Sequence, residues 1–351
     1  MSERAAPGFG RRDVIGGAGA IVATCLAGSG AAASRGWSMA GLRRIEAEAA
    51  RLKLVALIVR YRGTEVLSFG DVARVCGVHS MRKSLISALY GQAISTGMID
   101  PTHTLASLDI DDDPSLTSIE KQATVQNLLE ARSGIYLPLA PGIRPLAERP
   151  ARGAYAPGTH WCYNNWDFNA LGEIYRRLTG KGVFEAIAHN LAGPLGFRDF
   201  DPWRDGSYVF AADALGATVR YPNYRLSLSA RDQARFGELY LSRGRWRGRA
   251  IVPGDWVDRS LRARSSTGRA GSAAGYGYLW WTGAVDGVRV ASAVGAYGHV
   301  VGVLPDLDAV VVIQPDTDSG LAHPLTQTQT DALIASVIAA HPDHIPFGAI
   351  Q

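Results

Sequence analysis

Residues 78–100 read VHSMRKSLISALYGQAISTGMID, a stretch that places Ser80 three residues before Lys83. Apolar residues recur after Ser80 at helical spacing until Gly97, which predicts a helix with both polar residues on one face of its first turn. A serine hydroxyl is a weak nucleophile unless a nearby base accepts its proton, and a lysine with a lowered pKa can be that base. The alternative interpretation is a serine that only caps the helix.

The spacing alone does not decide between these interpretations, because Ser118 and Lys121 repeat it. The second pair lies in the polar run DDDPSLTSIEKQA (residues 111–123), where Ser118 is expected to be a capping or turn residue. Lysine is scarce in this chain, since four of the 36 basic residues are lysine and the rest are arginine. Arginine keeps its proton in proteins whereas a buried lysine can lose it, so a lysine at position 83 favours a chemical role.

The composition limits the possible functions. The chain has 351 residues, 47% of them hydrophobic, which predicts a large core in one domain or two interleaved ones. The net charge is +4 without a dense run of basic residues, so we expect no nucleic-acid partner. Cysteine and histidine form no cluster with metal-ligand spacing, and Cys76 and Cys162 make no disulfide scaffold. We therefore expect no metal and no organic cofactor.

Residues 1–33 have the features of a twin-arginine-type signal peptide. The pair Arg11 and Arg12 precedes a short apolar stretch rich in Gly and Ala, and three alanines at 31–33 follow as a cleavage site. This pattern predicts export to the periplasm or the exterior, with no stable membrane span in the mature form. The alternative is an uncleaved segment that anchors the protein to the membrane.

Strand patterns occur at both ends of the chain and helical patterns occur between them. Residues 38–100 and 246–351 predict an α/β sheet domain, and residues 101–245 predict a mainly helical domain inserted into it. A cleft between two such domains is a common place for an active site.

A second candidate motif, Tyr163-Asn164-Asn165, precedes the amphipathic helix predicted over residues 166–178. A tyrosine beside a lysine can act as a base or a proton relay, and the Asn165 amide can orient the lysine and a substrate carbonyl. The alternative is an aromatic residue that only packs in its loop, next to Trp161 and Trp166.

Together these motifs resemble the class C β-lactamase-like, or penicillin-binding-protein-like, serine hydrolases, whose S-x-x-K and Y-x-N motifs they match. The resemblance continues in order through LLEARSGIY (128–136), LSLSARDQARFGELYLSRGRWRGRAIVPGDWV (226–257) and GAYGHVVGVLPDLDAVVVI (295–313). It implies an antiparallel sheet flanked by helices with an inserted helical domain. It also implies that Ser80 is the nucleophile, that Lys83 and Tyr163 move its proton, and that Asn165 binds substrate.

One part of the family pattern is missing. Many members carry K-T-G or H-x-G on the strand that lines the site, and this slot falls on Val290-Ala291-Ser292, which offers no lysine or histidine. A neutral strand cannot pair with a substrate carboxylate. A backbone N–H near Ala293 can still complete an oxyanion hole with the N–H of Ser80.

The departure makes the pattern more similar to the esterases and 6-aminohexanoate-dimer hydrolases of the family. The sequence therefore predicts an exported serine hydrolase that cleaves a small-molecule ester or amide through an acyl-enzyme on Ser80. Two alternatives remain. One is a β-lactamase or a D-amino-acid peptidase or carboxypeptidase, and the other is a catalytically silent sensor or binding protein on the same fold. The pattern does not predict an oligomeric state.

Overall fold

A computed structural model of the chain describes residues 36–137, 149–210, 219–317 and 324–343. The strands are β1 (Leu54–Tyr61), β2 (Thr64–Gly70), β3 (Val75–Gly77), β4 (Gly206–Val209), β5 (Asn223–Ser229), β6 (Arg245–Trp246), β7 (Arg249–Ala250), β8 (Ser265–Ser266), β9 (Gly275–Tyr276), β10 (Trp281–Val285), β11 (Val288–Val294), β12 (Val300–Leu304) and β13 (Ala309–Pro315). The helices are α1 (Met39–Arg51), α2 (Arg82–Ser95), α3 (Val125–Leu129), α4 (Asn165–Thr179), α5 (Val183–Ile187), α6 (Gly193–Leu195), α7 (Pro202–Asp205), α8 (Ala230–Leu241), α9 (Gly254–Ser260) and α10 (Gln327–Ala340).

An eight-stranded antiparallel sheet joins both ends of the chain in the order β2-β1-β13-β12-β11-β10-β9-β8. The central strands β1 and β13 are almost entirely buried, because helices cover both faces of the sheet. Strands buried on both faces read as continuous apolar runs, as in the VVVI of residues 310–313. This confirms the predicted α/β architecture, an antiparallel sheet flanked by helices.

Each face of the sheet has its own apolar core. Helices α1 and α10 pack on each other over one face, and their buried residues join Leu57, Val311 and Ile313. The opposite face carries Ile58, Val310 and Val312, which join a larger core that extends into the helices between the two halves of the sheet. Alternate residues of one strand therefore enter different cores, as the period-two geometry of strands requires.

Helix α8 lies directly on the eight-stranded sheet. The sequence analysis placed this helix in the inserted domain, whereas the structure packs it across β12, β13 and β1. The reason is visible at Gly237, where a side-chain Cβ would lie 2.5 Å from a methyl carbon of Val310. Without a side chain at this position, the helix can lie directly on the sheet. The domain boundary at residue 245 stays a prediction.

A second, three-stranded sheet of order β3-β5-β4 leads the chain to Ser80. Strand β3 pairs antiparallel with β5, and the Val78 N–H then donates to the Leu226 carbonyl oxygen at 2.9 Å. The start of α2 is thereby fixed to strand β5.

The sequence predicts a signal peptide and no stable membrane span in the mature form. The signal segment 1–33 lies outside the described residues, so the signal peptide stays a prediction. Within the described ranges no helix is long and apolar enough to cross a membrane.

Candidate active site

Ser80 lies in a single 3-10 turn, His79–Met81, between β3 and α2. Among the described residues the Ser80 side chain forms no helix-capping hydrogen bond, so the structure does not show the N-cap arrangement that was the alternative. His79 has a φ of +49°, in the left-handed region that non-glycine residues rarely adopt. The turn therefore has an unusual backbone immediately before the serine, and the serine side chain stays half-exposed.

Lys83 connects the two predicted motifs. Its Nζ lies 2.7 Å from Oγ of Ser80 and 2.7 Å from the phenolic oxygen of Tyr163. The side chain is 2% exposed, and its Nζ also lies 4.7 Å from the ring centre of Phe168. Burial lowers the pKa of Lys83 well below its usual range, and the adjacent positive charge of Arg82 lowers it further. A lysine in this setting can be neutral and accept a proton.

Tyr163 is held by the loop that leads into α4. The Cys162 N–H donates to the Ala131 carbonyl oxygen at 2.9 Å, and Oδ1 of Asn164 caps α4 by accepting from the Trp166 N–H. The Tyr163 ring contacts Phe168 at a centroid distance of 4.9 Å. Backbone bonds on one side and ring contacts on the other fix the tyrosine beside Lys83.

Asn165 is the first residue of α4 and is 5% exposed. Its Oδ1 is buried and has no hydrogen-bond partner among the described residues, so the structure does not place the predicted bond from Asn165 to Lys83. A buried acceptor without a donor is costly. An incoming donor, such as a substrate amide, would relieve this cost.

Ala293 lies in β11, opposite Val301, with a fully buried side chain. Ala293 faces the larger core, which contains Met81 of the serine turn, whereas Val290 faces the core under α1 and α10. At the end of the strand, a Cβ at Gly295 would lie 2.3 Å from the carbonyl oxygen of Val78. The segment beside the serine turn is therefore Ala293–Gly295, the end of β11 and the residue that follows it, and it too lacks lysine and histidine.

An aromatic wall of Trp161, Tyr276 and Trp281 stands beside Tyr163. The Trp281 ring stacks on Tyr163 at 5.4 Å with an interplanar angle of 25°, and it meets Trp161 and Tyr276 edge-on at 5.8 and 5.1 Å. The sequence favours core or edge packing for Trp281 over a place in a pocket, and nothing in it indicates that β9 and β10 bring these rings to Tyr163. The run YGYLWW (276–281) is an aromatic signal, but nothing in it gives the direction of the rings.

Three polar residues near the site were also not singled out for function. Arg82 is buried beside Lys83, and the Asp167 carboxyl is fully buried below Asn164, whose Nδ2 donates to its Oδ1 at 3.1 Å. His299 is fully buried, and its ring lies 5.8 Å from that of His79. Burial, with His79 as a smaller cause, lowers the pKa of His299 to about 3. His299 is therefore neutral over the physiological range.

The other S-x-x-K pair has a different environment. Ser118 is exposed, and Nζ of Lys121 lies 2.6 Å from Oδ2 of Asp111. This ion pair and nearby hydrogen bonds hold the pKa of the Asp111 carboxyl well below its usual range. Lys121 is thus a charged partner of a carboxylate, and this pair forms no active-site arrangement.

The sequence from 42 to 335 matches the family described as Beta-lactamase. The chain belongs to this family. Its members are serine hydrolases, and the match covers both segments of the eight-stranded sheet and everything between them. A search of curated proteins gives no match.

Solved structures agree with this family at the level of the fold. One similar structure is described as a 6-aminohexanoate-dimer hydrolase from Bacillus anthracis. It is 20% identical to this chain in sequence, with a TM-score of 0.62 over 84% of this chain and 80% of that one. The octameric penicillin-binding protein homologue from Pyrococcus abyssi is 19% identical with a TM-score of 0.63, over 88% and 80%. A β-lactamase from Sulfitobacter sp. EE-36 is 16% identical with a TM-score of 0.59, over 86% and 97%.

Proposed function

We propose that this β-lactamase-family chain hydrolyses an ester or amide through an acyl-enzyme on Ser80. The observation that carries the proposal is the position of Lys83, whose buried Nζ lies 2.7 Å from both the Ser80 hydroxyl and the Tyr163 phenol. One nitrogen of lowered pKa between two hydroxyl groups can take a proton from the first and pass it on through the second. In this proposal Ser80 is the nucleophile, Lys83 the base and Tyr163 the relay.

The reaction would proceed in two steps. Oγ of Ser80 attacks the carbonyl carbon while its proton moves to Lys83, and the tetrahedral intermediate expels the alcohol or amine, which takes up a proton through Tyr163. Water then attacks the acyl carbon and gives one proton to Tyr163, Tyr163 gives its own proton to Lys83, and Lys83 protonates Oγ as it leaves with the acid released. Both steps balance without a cofactor.

The negative oxygen of the intermediates needs N–H donors. Among the described residues, neither the Ser80 N–H nor the Ala296 N–H donates to a backbone or side-chain acceptor. The Ala296–Gly298 turn contacts the His79–Met81 turn. We therefore propose these two N–H groups as the oxyanion donors. Ala293, which the sequence predicted approximately for this role, lies three residues earlier within the strand.

The substrate class follows from the charge of the site. The neutral end of β11 gives no cation for the carboxylate of a β-lactam or a peptide C-terminus, which favours neutral esters and amides. The Bacillus anthracis structure of the same fold carries the name of an amide hydrolase, so amides are included in the proposal. The pattern of residues 1–33 supports export as part of the same proposal.

A matched pair of serine variants tests the nucleophile. Wild type, Ser80→Ala and Ser118→Ala are treated with a fluorophosphonate probe, which labels activated serines. Wild type and Ser118→Ala should be labelled and Ser80→Ala should not. Equal labelling of all three proteins would remove Ser80 as the nucleophile.

A substrate screen with the same three proteins separates the candidate functions. Short acyl esters, amides and the chromogenic lactam nitrocefin are compared by initial rate. Ester or amide turnover that disappears in Ser80→Ala supports the proposal, whereas nitrocefin as the best substrate would favour a β-lactamase. A stable adduct on Ser80 that never turns over would favour a silent binding protein.

A further inference from the structure

Arg82 is a buried cation whose charge no described carboxylate neutralises. Its side chain is 4% exposed, and the charged or ionisable groups close to it are Tyr224, Tyr163 and Arg225. Its Cζ lies 4.7 Å from the ring centre of Tyr224, and its Nη2 donates to Oδ1 of Asn223 at 2.5 Å. Arginine keeps its proton in proteins, so the positive charge is permanent.

A buried charge without a counter-ion lowers the stability of a protein, and buried arginines are normally paired. This arginine is directly followed in the chain by Lys83. The partners of Arg82 are neutral, namely an amide oxygen, a backbone carbonyl and a tyrosine ring, and its buried Nε has no hydrogen-bond partner among the described residues. That combination points to a use for the charge itself.

We propose that Arg82 is a positioning residue for the Ser80 reaction, whose hydrogen bond to His79 holds the serine turn and whose buried fixed charge adds to the effect of burial on Lys83. The inference rests on the proposed function of Ser80. Arg82 occupies the second of the two variable positions of the S-x-x-K motif, and the proposal gives this position an electrostatic role.

The electrostatic part follows from the groups around Lys83. The described groups that face its Nζ are Ser80, Tyr163 and the ring of Phe168, and none of them is a carboxylate. Burial is the larger cause of the lowered pKa of Lys83, and the positive charge of the buried Arg82, the preceding residue in the chain, lowers it further. The charge of Arg82 therefore increases the fraction of Lys83 that can accept the Ser80 proton.

The mechanical part follows from the backbone of the turn. Nη1 of Arg82 donates to the carbonyl oxygen of His79 at 2.7 Å, and His79 has a φ of +49°. A residue in this region persists only when its surroundings hold it there. Arg82 supplies such a contact one residue away from the nucleophile.

The test measures the rate of fluorophosphonate labelling at Ser80 against pH, which requires no knowledge of the substrate. In wild type the rate should rise with pH as Lys83 loses its proton. In Arg82→Gln the pH midpoint should move upward by about one unit, because the repulsion that favours neutral Lys83 is lost. In Arg82→Lys the charge remains, so the midpoint should stay while the maximal rate falls.

Two variants of Asn223 keep the arginine and so remain informative if Arg82→Gln does not fold. Asn223→Asp places a carboxylate beside Arg82, which should also move the midpoint upward, whereas Asn223→Ala should not. Arg51→Gln, on an exposed arginine paired with Glu48 at 2.6 Å, removes a charge at a distance and should change nothing.

The outcomes distinguish this inference from the proposed function. If wild type is labelled at Ser80 and both Arg82→Gln and Asn223→Asp leave the midpoint unmoved, the electrostatic role of Arg82 is wrong while Ser80 remains the nucleophile. If wild type itself is not labelled at any pH, the proposed function fails, and the inference about Arg82 fails with it.

Discussion

The carbonyl oxygen of Val78 occupies the space that a side chain at Gly295 would need, since a Cβ there would lie 2.3 Å from this oxygen. The end of β11 and the strand that leads to Ser80 are thus in direct backbone contact. Gly295→Ala should force the two apart, lower the rate of Ser80 labelling at least tenfold and destabilise the protein by about 1–3 kcal/mol. Thermal unfolding and labelling rates measure the two effects.

Gly302 provides the control for this substitution. It lies in β12, and a Cβ there would meet its nearest neighbours at 3.7–3.8 Å, an ordinary contact distance. Gly302→Ala should leave labelling within about twofold of wild type. Similar losses in both variants would show that the site does not depend on the approach of Gly295 to Val78.

Lys83 is expected to lower the free energy of unfolding at neutral pH, because burial disfavours its charged form. Its pKa is lowered in the folded state, so between the folded and unfolded pKa values the unfolded chain binds more protons and stability rises with pH. Lys83→Met removes this cost and should raise the free energy of unfolding at pH 7 by about 1–3 kcal/mol. The same variant should lose labelling of Ser80.

The difference between Lys83→Met and wild type should shrink as pH approaches the ordinary lysine pKa of about 10.4, where the unfolded chain also loses its proton. Denaturant titrations at pH 7 and pH 10 measure this change. A difference that grows with pH would show that Lys83 is charged in the folded state.

The site could be predicted from the sequence only where it depends on local pattern. Ser80 and Lys83 share one helix turn, so their spacing and the following apolar period were enough to pair them. The Tyr163 contact needed the family resemblance, because no local rule brings a loop before α4 to a lysine on α2. The slot on β11 stays a prediction, since alternation along a strand does not specify which residue meets the serine turn.

Local sequence pattern likewise predicts individual elements of the fold but not the surfaces on which they pack. The β1–β2 hairpin and the terminal helices α1 and α10 are elements that their own apolar periodicity predicts. Helix α8 has an equally clear amphipathic pattern, yet the pattern does not say which apolar surface it covers. That choice depends on Gly237 meeting Val310, a contact between residues far apart in the sequence.

Asp167 should make the free energy of unfolding fall as pH rises, which is opposite to the effect of Lys83. Burial raises the pKa of its carboxyl well above the usual value, although hydrogen bonds from Ser133 and Asn164 oppose the shift. The stability that Asp167 contributes is therefore complete below the unfolded pKa of about 3.9 and is lost as pH rises through the folded pKa. Asp167→Asn should remove this loss.

Melting temperatures at several pH values between 5 and 8 test the Asp167 prediction. Between these limits, the difference in melting temperature between Asp167→Asn and wild type should move in favour of the variant as pH rises. A difference that stays constant would mean that Asp167 is ionised in the folded protein throughout. The comparison of two proteins cancels the contribution of Lys83, which is the same in both.

Trp281 should support Tyr163 mainly through ring packing. Its side chain is 8% exposed and stacks on the tyrosine at 5.4 Å, so Trp281→Ala leaves a cavity directly behind the proposed proton relay. The substitution should cost about 3 kcal/mol of stability and lower Ser80 labelling at least tenfold, while Trp281→Phe should keep most of both. Trp203 is 88% exposed, so Trp203→Ala should change stability by less than about 0.5 kcal/mol. If Trp281→Ala labelled as fast as Trp203→Ala, Tyr163 would not depend on the aromatic wall for its position.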